Sequence, residues 1–189
     1  MALQLRGALA RLKELVDETR RFGNNETPVG ESEVTPVVPL LVARRVSADL
    51  ANRFPDVRIA CHSANDRVAT LPAEICGGEE TLYRMLENMV LNACQGNGTT
   101  SAANVDVFVR DEPYVGALIV QVIDDGPGFT DAQLAGPIDA FATTKPGGTG
   151  LGLYTTERLA RASGGSLQRV NGLEGGAVTT LFLREAESA

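Results

Sequence analysis

Three short stretches of this chain hold residue types that could handle a phosphorylated ligand. Asn88 and Asn92 stand four residues apart in a segment with helical periodicity, so their amides share one face. An Asn amide oxygen is a hard ligand, suited to completing a Mg2+ shell already rich in phosphate and water oxygens. Glu87 precedes Asn88 and could orient or deprotonate a nucleophile. The second stretch is Val122-Ile123-Asp124-Asp125-Gly126-Pro127-Gly128-Phe129, a strand running into carboxylates and a Gly-Pro-Gly turn. A carboxylate at a strand end can accept a hydrogen bond from an exocyclic amine such as adenine N6. The two glycines let the backbone pass close to a flat ring. The third stretch runs from Phe141 to Leu153, and its Gly148, Gly150 and Gly152 open a helix. Bare backbone N–H groups and a helix N-terminus make an anion cradle, the Thr149 hydroxyl adds a donor, and Lys145 adds a point charge.

Each stretch alone has a plainer reading. The Asn pair suits a solvated helix face, Asp-Gly is a common turn pair, and a Gly-rich turn is weak evidence by itself. The third stretch is neither a Walker P-loop, since no GxxxxGK[ST] occurs, nor the dinucleotide fingerprint, since its glycines follow a loop and not a strand.

The elements that must position these residues follow from periodicity and breakers. Residues 79–95 read as the strongest helix, with Leu82, Met85, Leu86, Met89, Val90, Ala93 and Cys94 on one buried face. The Asn face lies opposite the Met85/Met89 stripe, and Gly96-Asn97-Gly98 ends the helix. Val38, Leu41, Val42, Val46 and Leu50 predict a helix over 38–54. Residues 57–62 and 68–76 read as a hairpin, followed by paired strands near 103–110 and 116–123. A short helix and loop occupy 130–147, a helix runs from about Gly150 to Ser163, and strands 166–171 and 177–183 form a last hairpin. This order predicts an α/β (α+β) two-layer sandwich, with a mixed, mostly antiparallel sheet covered on one face by helices. Residues 1–23 hold a further helix, with a seam of Leu5, Leu9, Leu12 and Val16, and residues 24–37 read as a linker to a domain over 38–189. That first helix either packs on its own domain or is part of a dimerisation hairpin.

Composition bounds the rest. The chain has 189 residues, 43% hydrophobic and 22% charged, which suits an ordinary globular domain with a modest extension. A net charge of -7 argues against an electrostatic nucleic-acid binder but leaves room for one small anion. No apolar run is long enough to insert in a membrane, and no signal-peptide pattern interrupts the start. Cys61, Cys76 and Cys94 are scattered without a CxxC, consistent with a reducing, cytoplasmic setting and no metal site. The one histidine, His62, falls in a predicted hairpin and reads as a surface or packing residue.

Taken together and in order, the three stretches resemble the catalytic ATP-binding domain of sensor histidine kinases, in the GHKL ATPase superfamily, over roughly residues 38–185. Asn88 to Ala93 is similar to its N box, Asp124 to Phe129 to its G1 box, Phe141 to Lys145 to its F box in a short-lid Thr-Thr-Lys form, and Gly148 to Leu153 to its G2 box. The resemblance implies Asn92 as the principal Mg2+ ligand, with Asn88 assisting at the phosphates. It implies Asp124 for adenine N6 and Gly126, Gly128 and Phe129 around the base. Thr143, Thr144 and Lys145 would stand in an ATP lid from about Thr130 to Gly148, while Gly148, Thr149, Gly150, Leu151 and Gly152 hold phosphates. Glu87, Asn88 and Lys145 are the catalytic candidates. The implied cofactors are ATP and Mg2+, and the implied partners a His-bearing dimerisation domain and, downstream, a response regulator.

Departures accompany the likeness. Gly78 and Gln95 stand where the family often has an Asp and a basic residue, which makes Lys145 the obvious cation near the phosphates. Ile138 and Ala142 soften the F box, and Gly176-Ala177 replaces a common Gly-Thr. No histidine lies in residues 3–22, so the phosphoacceptor belongs to another segment or chain. Alternatives are a degenerate or regulatory nucleotide-binding module, an anti-sigma-type serine kinase, and an ATP-driven clamp related to gyrase and MutL. The domain should be monomeric unless residues 3–22 pair.

Overall fold

In a computed structural model, residues 33–143, 145 and 148–187 are described. The predicted helix over 1–23 and most of the predicted linker lie outside them. The linker's last residues do not stay irregular: Val34–Val37 form strand β1. Pro36 is compatible with that role because β1 is bonded on one side only, to β3.

Helix α1, Pro39–Arg53, begins with Pro at its first position, where a missing N–H costs nothing. It buries Leu40, Val42, Ala43, Val46 and Leu50. The predicted register was off by one at the start, because Leu41 is 58% exposed and Leu40 is buried in its place. Strand β2 is Arg58–Ser63, a 3-10 turn follows at Arg67–Ala69, and β3 is Ala73–Cys76. Helix α2, Gly78–Gln95, buries the seven residues expected of it and carries Glu79 and Glu80 in its first turn, where carboxylates complement the helix dipole. Strands β4, Asn104–Glu112, and β5, Ala117–Asp124, form the expected hairpin. A four-residue helix α3, Asp131–Leu134, precedes helix α4, Gly152–Ala162. Strands β6, Ser166–Asn171, and β7, Ala177–Arg184, close the fold as the last hairpin.

The five-stranded sheet has the order β2-β4-β5-β7-β6. β2 runs parallel to β4 and the other neighbours are antiparallel. The predicted hairpin of residues 57–62 with 68–76 is therefore incorrect. β2 pairs with β4, from Arg58↔Asn104 to Ser63↔Val109, and β3 pairs with β1, from Val34↔Cys76 to Val37↔Ala73. The physical reason lies between them. Val68 is fully buried in the 3-10 turn, which pulls the chain into the core and away from a tight reversal. A parallel partner then needs a long crossover, and α2 supplies it.

The inner sheet face carries Val105, Val107 and Val109 of β4, Leu118, Val120 and Val122 of β5, and Leu181 and Leu183 of β7. These form one contiguous core with the buried stripes of α1 and α2 and with Ala160 of α4. Each such side chain stabilises the fold by roughly 1.5–3 kcal/mol. The outer face is mixed. His62 lies there, its Nε2 2.7 Å from Asp106 Oδ1 and its ring stacked on Phe108 at 4.6 Å, as a surface residue. Among the described residues no helix is long and apolar enough to cross a membrane.

One carboxylate fastens the end of β5 to the start of β4. Asp125 Oδ1 accepts from Ala103 N at 2.8 Å and Asn104 N at 2.9 Å, and Oδ2 accepts from Asn104 Nδ2 at 2.7 Å. These bonds favour the charged form and hold its pKa below the ordinary 3.8. A depressed carboxylate pKa stabilises the fold above the ordinary value, and the gain is lost as pH falls through the lower folded value. Asp125→Ala is therefore expected to melt below wild type at pH 7. The gap should narrow as pH is lowered beneath about 4, read from thermal melts across pH.

Candidate functional site

An open cleft of about 950 Å³ lies between α2, the N-terminus of α4, the turn after β5 and the long loop to residue 150. Its walls include Glu87, Asn88, Asn92, Asp124, Lys145 and Gly152, so the three sequence stretches converge on one place. Packing explains the convergence. The buried stripe of α2 fixes the helix's rotation, and Glu87, Asn88, Asn92 and Gln95 are left on the cleft side.

At one end sits Asp124, only 8% exposed at the C-terminus of β5. Its Oδ1 accepts from Gly126 N at 2.9 Å and from Ala177 N at 3.2 Å. That leaves Oδ2 for a donor in the cleft. Burial pushes the Asp124 pKa up, the Ala177 and Gly126 N–H groups pull it back, and neighbouring Asp125 adds to the rise. A Cβ on Gly126 would lie 2.9 Å from Asp124 Oδ1, so a side chain there would press on the carboxylate. Gly176 has φ of 74°, and a Cβ on it would meet the Asp124 carbonyl oxygen. The turn between β6 and β7 thus packs beneath the acid. Ala177 and Gly176 serve the site through backbone atoms, which gave sequence reading little to find.

At the other end, Lys145 Nζ donates to Asn92 Oδ1 at 2.8 Å, to the Asn92 carbonyl at 3.3 Å and to Gln95 Oε1 at 3.4 Å. Burial lowers the Lys145 pKa to about 8, against the pull of Asp124 and Cys94. Three neutral oxygens therefore face a point that already carries a positive charge. Oxygen donors around a cation are what a hard divalent ion requires. Among the described residues no group of three or more His, Cys, Asp or Glu could hold a metal unaided. Any such ion would need ligand oxygens from the nucleotide or water.

Asn88 points its amide nitrogen at α4, donating to Gly152 O at 3.2 Å and Thr156 Oγ1 at 3.4 Å. It therefore fixes the start of α4 against α2. No side chain caps α4 at Leu151, so the N–H groups of Gly152 and Leu153 await another acceptor. Thr149 Oγ1 accepts from Leu151 N at 3.3 Å, which leaves its proton to donate. Gly150 has φ of 68°, and a Cβ on it would lie 2.5 Å from the Phe141 carbonyl carbon, so the loop closes on this glycine. Phe141 itself has φ of 67° and is 68% exposed.

Thr143 Oγ1 accepts from Lys145 N at 3.1 Å, and Gly148 N donates to Lys145 O at 3.0 Å, which shapes the turn around the lysine. Thr144 lies outside the described residues. Phe129 is 9% exposed, and Asn171 grips its backbone at N and O, at 2.7 and 2.8 Å. Gly128, with φ of 73°, makes room for that grip. Asn171 carried no sequence signal, since its partner lies 42 residues away.

Residues 77–187, more than half of the chain, match the family described as "Histidine kinase-, DNA gyrase B-, and HSP90-like ATPase". The sensor histidine kinase ZraS of Salmonella typhimurium is 30% identical over 139 residues, covering 73% of this chain and 28% of the relative. The C4-dicarboxylate transport sensor protein DctB of Pseudomonas aeruginosa is 35% identical over 118 residues, covering 61% of this chain and 19% of the relative. The chain thus spans under a third of either relative. Among solved structures, full-length ShkA in complex with AMPPNP aligns with a TM-score of 0.76 at 25% identity, covering 94% of this chain and 36% of that one. The mycobacterial sensor histidine kinase MprB aligns at 0.64 and 19% identity, covering 83% and 99%, which supports the two-layer GHKL sandwich. With its fold and its sequence in accord, the chain belongs to the histidine kinase-, gyrase B- and HSP90-like ATPase family, and the relatives it matches include sensor histidine kinases.

Proposed function

We propose that this domain binds Mg-ATP in the cleft and donates the γ-phosphate to a histidine on a dimerisation domain, from which a response regulator takes it. The observation that carries the reading is the cleft's polarity. A half-satisfied buried carboxylate, Asp124, stands at one end, and a lysine and helix N–H groups stand at the other. An adenine amine suits the first and phosphates suit the second. The similarity to the sensor histidine kinase ZraS and to ShkA in complex with AMPPNP points the same way. A solved ThkA structure in complex with the response regulator TrrA, aligned at a TM-score of 0.70 and 18% identity, shares the fold of this domain.

In this reading Asp124 Oδ2 accepts from the adenine amine, with Gly126, Gly128 and Phe129 bounding the base. Gly148, Thr149, Gly150, Leu151 and Gly152 face the phosphates with N–H and O–H donors, and Asn88 keeps that end registered on α2. Asn92 Oδ1 would hold Mg2+ once Lys145 Nζ leaves it for phosphate oxygen. The ion supplies charge neutralisation at the phosphates. Thr143, Thr144 and Lys145 close over the γ-phosphate. Glu87 orients the incoming imidazole and receives its proton. A histidine nitrogen then forms the N–P bond as the bond from Pγ to the ADP oxygen breaks. The domain's part is positioning and electrostatics, with little covalent work. The setting would be cytoplasmic, as part of a longer kinase.

The test is calorimetry with ADP and ATP, with and without Mg2+, followed by transfer to a supplied His-bearing helical domain. Wild type is expected to bind in the micromolar range and to give an acid-labile phosphohistidine on the supplied domain. Asn92→Ala should lose the Mg2+ dependence, and Lys145→Ala should weaken ATP more than ADP. Failure of a folded wild type to bind nucleotide would remove the reading. Asp124→Asn carries a double expectation. Losing the charged acceptor should weaken adenine nucleotides by roughly 10- to 100-fold, the range for a hydrogen bond to a charged group. Stability should move the other way. A raised carboxylate pKa means that stability falls as pH climbs from the ordinary 3.8 through the folded value, so the ionised acid penalises the fold at pH 7. The neutral amide keeps an acceptor for Gly126 N and Ala177 N and should melt higher than wild type at pH 7.

A further inference from the structure

We propose that two side chains of β6, Arg169 and Asn171, anchor residues 129–137, the first half of the expected lid, before nucleotide binds. This rests on the nucleotide reading and refines it.

Asn171 makes a two-point bond with Phe129, its Oδ1 accepting from the backbone N at 2.7 Å and its Nδ2 donating to the backbone O at 2.8 Å. A side-chain amide thus copies the pattern one strand offers another. Arg169 stands two residues earlier and so on the same strand face. Its Nη2 donates to Gly136 O at 2.8 Å and to Pro137 O at 3.2 Å. Both anchors come from one strand, and they grip the two ends of residues 129–137.

The segment between them is folded on its own account. Thr130 and Gln133 form a reciprocal capping box at the start of α3, and Ala135 N donates to Asp131 O at 2.8 Å. Beyond Pro137 the bonds are of another kind. Ala142 N donates to Asp139 O at 3.4 Å, Lys145 N to Thr143 Oγ1 and Gly148 N to Lys145 O, all within the lid. Lys145 Nζ reaches α2 through the oxygens of Asn92 and Gln95, atoms that a Mg-nucleotide would claim. The first half is therefore tied to the sheet by bonds that nucleotide leaves alone. The second half is tied at the phosphate end by a bond that nucleotide replaces. Arg169 and Asn171 are positioning residues: they act on the ligand through Phe129 and the Gly136-Pro137 backbone.

Hydrogen exchange on the nucleotide-free protein tests the anchors directly. Amides of 131–137 should exchange more slowly in wild type than in Arg169→Ala or Asn171→Ala, by about tenfold or more for the loss of bonds of this kind. Exchange in β4 and β5 should not change. The milder Asn171→Asp keeps an acceptor for Phe129 N and loses the donor to Phe129 O, and Arg169→Lys keeps a single cationic donor. Both should fall between wild type and the alanine variants, and they decide the matter if an alanine variant misfolds. In calorimetry, the anchor variants should weaken ADP and AMPPNP by the same factor, whereas Lys145→Ala separates the two. Exchange over 131–137 that matches the variants in wild type overturns the proposal. So does an anchor variant that weakens AMPPNP alone. If wild type binds no nucleotide, the functional reading falls, and the exchange result still decides the anchors.

Discussion

The cleft depends on a carboxylate that the fold buries without neutralising. Asp124 ends β5, and its Oδ1 is held by N–H groups from two sides, Gly126 after it and Ala177 at the start of β7. A buried charge with half its acceptor capacity unmet is costly, and the raised pKa is the sign of that cost. Two glycines make room for it. Gly126 leaves room beside the carboxylate and Gly176 beneath its carbonyl, while Asp125 fastens the same corner to β4 and adds to the cost. Stability and ligand recognition pull in opposite directions at this residue, which is common where a site is built for a partner that is not part of the chain.

The Lys145 end of the cleft poses a different problem. The helix α2 presents the neutral amides Asn88, Asn92 and Gln95 there, with Arg84 on the cleft wall one turn before Asn88. The cation seated on these amides comes from a loop. Placing the charge on a loop means that its position depends on loop conformation, and in this structure it is seated on the Asn92 and Gln95 oxygens. Gln95, which stands where the resemblance implies a basic residue, is thus an acceptor for the Lys145 ammonium. The ammonium keeps the oxygens of Asn92 partnered, so a buried polar group is not left bare before ligand arrives.

What was legible in the sequence was local. The stripes of α1 and α2, the hairpins β4–β5 and β6–β7, and the spacing of the asparagines, Asp124 and the glycines all follow from short-range periodicity and turn chemistry. The failures were non-local. β2 and β3 are neighbours in sequence and read as a hairpin, yet one joins β4 and the other joins β1, because Val68 draws the link between them into the core. β1 read as linker because four residues with a proline show no pattern until a partner strand is known. Leu40 and Leu41 differ only by helix rotation, which the first turn alone cannot fix. Arg169 and Asn171 escaped for a further reason. Each serves the site through a bond in which one partner is backbone, and backbone carries no sequence signal.

A wall segment ordered in advance changes the energetics of the proposed binding. Ordering a residue's backbone costs roughly 1–2 kcal/mol, so a segment of even nine residues that had to order on binding would cost more than a micromolar affinity of about 8 kcal/mol supplies. Residues 129–137 avoid that cost because the capping box and the two β6 side chains order them beforehand. In the proposed reading the base would then meet a wall already in place.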